Sequence, residues 1–238
     1  MKKPHFDFKQ FRIRQDKTSM KVGTDGVLLG CMISCHKNPK NILDIGTGTG
    51  LLALMMAQKF SDVKITGIDV DANACLQAKE NSINSPWTNR IEIFHTALQD
   101  YHSTQQFDCI LSNPPFYKKA KKSPDEIRAQ SRNEEFLPAK AIFEFAQKYM
   151  SPLGELCLIY PTENLQQLSH YAKTNGLSLK ALHYIRPNIL KACHRIIACY
   201  SKGPVTSVEI DITCIEILQR NDYSAEYRQL CKNFYLHF

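Results

Sequence analysis

The 238 residues carry 30 lysines and arginines against 23 aspartates and glutamates, a formal charge of +7, with 43% hydrophobic and 22% charged side chains. That length is enough for one domain with a full core, and the balance excludes a low-complexity or collagen-like chain. No apolar run is long enough to cross a bilayer and the opening MKKPHFDFKQ lacks an apolar signal core, so a cytoplasmic location and no membrane partner are expected.

Taken in chain order, residues 1–40 form a lead that is basic at its start: Lys2, Lys3, Lys9, Arg12, Arg14, Lys17 and Lys21 face only Asp7 and Asp16 over the first 21 positions. Strands are then predicted at 42–46 (ILDIG), 64–69 (KITGID), 91–95, 107–112 (FDCILS), 154–160 (GELCLIY), 178–185 and 195–201. Helices are predicted at 50–59, 72–83, 138–150 and 163–174, the third started by Pro138 and the fourth stopped at Asn175–Gly176. Strands alternating with helices predict an α/β fold, a seven-stranded, mostly parallel sheet covered on both faces. The last two strands are separated only by Pro187 to His194, too short for a crossover, and are expected to be antiparallel. Residues 117–136 are polar and weakly periodic and read as an insertion at a strand end, where open α/β sheets place ligands. Residues 204–238 form a C-terminal extension whose aromatics Phe234, Tyr235 and Phe238 are expected to dock onto the core, all within a single domain.

Two features carry chemistry. The first is Asp44-Ile45-Gly46-Thr47-Gly48-Thr49-Gly50, between the first of these strands and the helix that follows it. Its glycines permit a tight turn and close approach of a ligand to the backbone. Gly48 to Ala53 also fits the dinucleotide pattern G-x-G-x-x-A, with Asp69 about 20 residues on. Asp44 decides between the two ligands, because a pyrophosphate beside it meets a like charge, whereas the sulfonium and ammonium of S-adenosylmethionine are attracted. Asp69 with Val70 at the next strand end suits ribose hydroxyls, and Ala97 and Leu98 after the third strand are expected to border an adenine.

The second feature is Asn113-Pro114-Pro115-Phe116, 44 residues beyond Asp69 and at the end of the fourth strand. The Asn113 amide oxygen and the Pro114 carbonyl are two acceptors, able to hold both hydrogens of an amino group and aim its lone pair. Nitrogen gains positive charge as a bond to carbon forms, and aimed dipoles stabilise that charge without a strong base. Phe116 can stack on a flat base. Nine cysteines without a Cys-x-x-Cys pair, and eight histidines without ligand spacing, predict reduced thiols and no metal site.

These residues resemble the class I, Rossmann-like methyltransferases of the Asn-Pro-Pro-aromatic group, which modify adenine in nucleic acids or a glutamine amide in protein. Phe8 to Gly30 (FKQFRIRQDKTSMKVGTDGVLLG), Arg186-Pro187 and Tyr223 to Phe238 (YSAEYRQLCKNFYLHF) resemble the bacterial tRNA1(Val) adenine-N(6) methyltransferases over essentially the whole chain. The resemblance implies methylation of the 6-amino group of adenine 37, beside the anticodon of a valine tRNA, with no obligate protein partner. It implies that Asn113 and Phe116 hold and stack the adenine, that Asp44, Gly46 and Asp69 hold the cofactor, and that Thr24 and Asp25 lie near its methionine end. Gly48 and Gly50 belong to the same cofactor loop. Alongside this motif, the basic groups, chiefly Lys118, Lys119, Lys121, Lys122, Arg12 and Arg14, read as an RNA path rather than as a merely solvated surface. Three other readings fit less well. A glutamine-modifying enzyme usually carries a helical domain before the first strand, a non-catalytic RNA-binding module has no use for the intact Asp44, Asp69 and Asn113, and a nicotinamide-dependent oxidoreductase is disfavoured by Asp44.

Overall fold

The computed structural model describes residues 4–18, 20–35, 38–115, 137–216 and 222–238. Within them an antiparallel hairpin, β1 (His5–Asp7) and β2 (Arg12–Arg14), precedes helix α1 (Thr24–Met32). The main pattern then runs β3 (Asn41–Ile45), α2 (Leu51–Lys59), β4 (Lys64–Asp69), α3 (Ala72–Ile83), β5 (Ile91–His95) and β6 (Phe107–Ser112). It continues with α4 (Ala139–Tyr149), β7 (Met150–Pro161), α5 (Leu165–Thr174), β8 (Leu177–Asn188), β9 (Arg195–Lys202), β10 (Glu209–Glu216) and α6 (Ala225–Cys231).

The sheet order is β10-β8-β9-β7-β6-β3-β4-β5, with β9 antiparallel to both neighbours and every other pairing parallel. The seven expected strands are all present, and the hairpin β8–β9 is antiparallel as its short link requires. One correction concerns number: the sheet has eight strands among the described residues, because the C-terminal extension adds β10 in parallel beside β8. Its sequence EIDITCIE gives no core-facing pattern, since Ile210 and Ile212 alternate onto an exposed face.

Alternation along each strand divides the core in two. Ile42, Cys109, Leu111, Cys157, Ile159 and Ile197 face one side, where α1, α2, α3 and α6 pack. Leu43, Ile45, Ile110, Leu156, Leu158 and Tyr200 face the other, covered by α4 and α5. The basic lead and the C-terminal extension meet in the first of these cores, where Phe8, Phe11 and Ile13 pack with Tyr227, Cys231 and Phe234. Phe8 bridges Tyr235 as an isolated β-pair, the Lys9 N–H donates to the Phe234 carbonyl at 2.8 Å, and Trp87 meets Phe11 edge-on. The aromatic run near the C-terminus thus docks as expected. Among the described residues no helix is long and apolar enough to cross a membrane.

Candidate active site

The chain leaves β3 toward β4 and β5, then returns past β3 to β6. The carboxyl ends of β3 and β6 therefore form the point where strand order reverses, the position at which open sheets bind ligands. Ile45 pairs with Ser112, so the glycine loop and Asn113–Pro115 leave the sheet side by side. The buried Ser112 hydroxyl donates to the Ile45 carbonyl at 2.8 Å and pins the two loop bases together.

The glycine loop is left-handed at three places, with φ of 72° at Gly46, 56° at Gly48 and 79° at Gly50, values that a side chain strains against. Its amides are used up: Gly46 and Thr47 donate to the Ile68 carbonyl at 2.9 and 3.0 Å, and Gly48 donates to the Asp69 carboxylate at 2.8 Å. Asp69 also accepts the Asp71 N–H at 2.9 Å, and burial pushes its carboxyl upward. A cavity opens between this loop and Asn113. Gly46 and Gly48 line one end, Asp69 and Val70 one side, and Ile68 and Leu98 its apolar surface. At Gly48 the nearest atom to an added Cβ lies 3.9 Å away, so that glycine faces open space.

Other predicted residues stand elsewhere. Gly50 starts α2 and faces Ala78 of α3, where an added Cβ would sit 3.3 Å from the alanine methyl. Ala97 is turned into its own bend, accepting the Asp100 N–H at 3.1 Å, while its neighbours Thr96 and Leu98 line the cavity. Asp44 is 0% exposed and lies behind the loop rather than on the cavity wall. Its Oδ2 accepts the Thr47 hydroxyl at 2.7 Å, and its Oδ1 has no hydrogen-bond partner of good geometry among the described residues. Burial pushes its carboxyl up to about 7, opposed by the Thr47 hydroxyl and the Ala53 N–H.

Thr24 and Asp25 line a second cleft, which opens on the other side of Asn113 and is completed by Pro114, His194 and Arg195. Asp25 accepts from Arg195 Nε at 2.8 Å, tying α1 to β9. Asn113 and Met20 border both clefts, so the amide stands at their junction. Behind it is Gly26, where an added Cβ would lie 3.3 Å from Asn113 Nδ2 and 3.0 Å from Leu51. Sequence reasoning missed Thr18, Leu137, His194 and Arg195 as cleft residues, because no motif or spacing marks them and only the fold assembles them.

Arg12 pairs with Asp7, and Arg14 lies 3.8 Å from Asp16 while its backbone is held in both directions by the Asn81 side chain at 2.9 Å. Neither arginine lines a cleft. Phe116, Lys118, Lys119, Lys121 and Lys122 lie outside the described residues. Among those described, no group of three histidine, cysteine or acidic side chains is placed to hold a metal ion.

This geometry can be set against known proteins. The methyltransferase small domain model matches residues 21–170. A protein of Flavobacterium johnsoniae named tRNA1(Val) (adenine(37)-N6)-methyltransferase is 40% identical over 97% of this chain and 99% of its own. One of the same name from Parabacteroides distasonis is 37% identical over 99% of both. The chain belongs to the tRNA1(Val) (adenine(37)-N6)-methyltransferase family. Solved structures agree on the fold: a predicted O-methyltransferase of Agrobacterium tumefaciens superposes with a TM-score of 0.66 at 15% identity, covering 88% of this chain and 96% of its own.

A member of this methyltransferase family takes its methyl group from S-adenosylmethionine. The cavity fits such a molecule. It offers a carboxylate, Asp69, beside apolar walls at Ile68 and Leu98, and a glycine, Gly48, whose missing side chain leaves room for close approach. The buried Asp44 holds the loop from beneath through the Thr47 hydroxyl and does not itself line the cavity.

Proposed function

We propose that the enzyme methylates the exocyclic 6-amino group of adenine 37, next to the anticodon of tRNA1(Val). The observation that carries this reading is the placement of Asn113 where two clefts meet. We assign the cleft lined by Asp69 and the glycines to the methyl donor and the one lined by Pro114 to the acceptor. In the cofactor cavity, Asp69 and Val70 receive the ribose, Ile68 and Leu98 flank the adenine ring, and Gly46 and Gly48 allow close approach. Asp44 acts through the loop it supports. Thr24 and Asp25, walls of the second cleft, belong on this assignment to the acceptor side.

S-adenosylmethionine supplies an electrophilic methyl on a sulfonium. The protein's part is to hold the nucleophile. Asn113 Oδ1 and the Pro114 carbonyl accept the two amino hydrogens, and the nitrogen lone pair is left facing the neighbouring cavity. In the transfer the methyl–sulfur bond would break as the nitrogen–carbon bond forms, leaving a neutral thioether; the positive charge growing on nitrogen would be met by those two dipoles, and one proton would then depart to solvent. Phe116 and the lysines that follow it are assigned to base stacking and to the RNA backbone by their place in the sequence. The names of the relatives support the tRNA substrate.

The test is to incubate the protein with labelled S-adenosylmethionine and unmodified tRNA1(Val), then digest the RNA to nucleosides. Label is expected in N(6)-methyladenosine from position 37. Its absence, or label in a glutamine of added protein substrates instead, overturns the proposal. Asn113→Ala is expected to lower transfer by at least about 100-fold, in the range seen when an aimed transition-state dipole is removed. Calorimetric cofactor affinity should persist, and loss of both together would make Asn113 a structural residue.

A further inference from the structure

The link between β8 and β9 carries a feature that the methyl-transfer chemistry leaves unused. Ile189 and Leu190 project from it, 47% and 78% exposed, followed by exposed Lys191. Solvent-facing aliphatic pairs are common singly and mean little in themselves. This pair is set apart by its position and by the hydrogen-bonded turn that presents it. Pro187 on one side of the tip, and His194 and Arg195 on the other, line the acceptor cleft beside Asn113. The tip is a built turn: Asn188 Oδ1 accepts the Leu190 N–H at 3.1 Å, its carbonyl accepts the Lys191 N–H at 3.2 Å, and the His194 N–H returns to the Ile185 carbonyl at 2.9 Å.

The tip's own charge has one sign, although Glu216 of β10 pairs with Asn188 at its base and lines the same cleft. Residues 186–195 read RPNILKACHR, with Arg186, Lys191 and Arg195 and no acid. Of the two acids that line the cleft, Asp25 and Glu216, Asp25 is bound to Arg195. A hydrogen-bonded tip with two aliphatic side chains and a cation, continuous with a cleft that must admit a single base, matches a nucleic-acid loop better than a protein face. Extracting one base from a stacked loop leaves a gap that apolar side chains fill in other RNA and DNA complexes, while a nearby cation takes the phosphate.

We propose that the β8–β9 tip is an RNA wedge: Ile189 and Leu190 occupy the stacking position vacated by the target base, and Lys191 holds the adjoining phosphate. This rests on the RNA-methylating reading given above.

The test uses the full-length protein and an anticodon stem-loop RNA carrying 2-aminopurine at the target position, whose fluorescence rises on unstacking. Wild type is expected to raise it. Ile189→Ser/Leu190→Ser is expected to abolish most of the rise, and Lys191→Ala to weaken binding about tenfold and lower the salt slope by about one. Melting temperature and cofactor affinity should stay at wild-type values, because the tip is exposed. A wild-type fluorescence rise in both variants, with a wild-type KM on the same stem-loop bearing adenine at the target, overturns the wedge while leaving the methylation reading standing. A change in molecular mass on the double substitution also overturns it, since the tip would then join copies of the protein. Wild-type protein that neither binds this RNA nor methylates the same stem-loop with adenine at the target position overturns both readings.

Discussion

Asn113 is held in place from behind by the absence of a side chain. Gly26 lies so close that a methyl there would stand 3.3 Å from the Asn113 amide nitrogen, with Leu51 blocking retreat at 3.0 Å. Gly26→Ala is therefore expected to turn or push the amide, lowering kcat by about tenfold or more with little change in cofactor affinity, since a small misplacement of an aimed group is costly. Equal loss of cofactor binding in a titration would show a wider collapse. Asp44 makes a second prediction. Its carboxyl rises from an ordinary 3.8 to about 7 in the folded protein, so between those values the native state holds a proton that the unfolded chain has released. Stability should be fullest below the lower value and fall as pH rises through the upper one. Asp44→Asn should flatten that slope in denaturant titrations run across pH, and an unchanged slope would assign it to another group. The motif residues were legible because they are close in sequence and tied to a strand end. Whether each faces the cavity was not, as Asp44, Gly50 and Ala97 show: burial and direction come from packing that no motif encodes.

Regular elements were legible wherever their period matched their burial. The strands β3, β6 and β7 are apolar runs because both faces are covered, and α4 places Ile142, Phe143 and Ala146 on one stripe. Helix α1 has no such stripe: Gly26 to Cys31 are all buried, so the periodic signal vanishes. Its two glycines are explained by contact rather than by flexibility. At Gly30 an added Cβ would lie 2.5 Å from Met55 sulfur, on a fully buried side chain of α2. Gly30→Ala should destabilise the protein by about 1–3 kcal/mol through overpacking. Chemical denaturation measures this, and a neutral result would mean that Met55 can swing aside. β10 escaped notice for the opposite reason, since Ile210 and Ile212 face outward on the edge of the sheet.

At the scale of the whole molecule, the two ends of the described chain are knotted together. Lys9 Nζ donates to the carbonyls of Lys232 and Phe238 at 2.5 and 2.8 Å, and Tyr223, Tyr227, Tyr235 and Phe238 stack or meet edge-on around it. The same N-terminal stretch leads directly into Thr18 and Met20 on the cofactor cavity, with the Lys17 N–H held by Gln77 at 2.9 Å. Removing residues 234–238 should therefore lower the melting temperature by several degrees, as expected for the loss of a buried Phe234 and its neighbours. It should also weaken cofactor binding. Intact binding in the truncated protein would separate the knot from the cavity.

That knot has a meaning in time. A ribosome releases the hairpin first and the segment that clamps it more than 200 residues later, at the separation of the Lys9–Phe238 contact. The hairpin's contacts with residues 232–238 can form only once that segment has emerged, so the N-terminal stretch is completed late on its clamped side while its cavity side is held by Gln77.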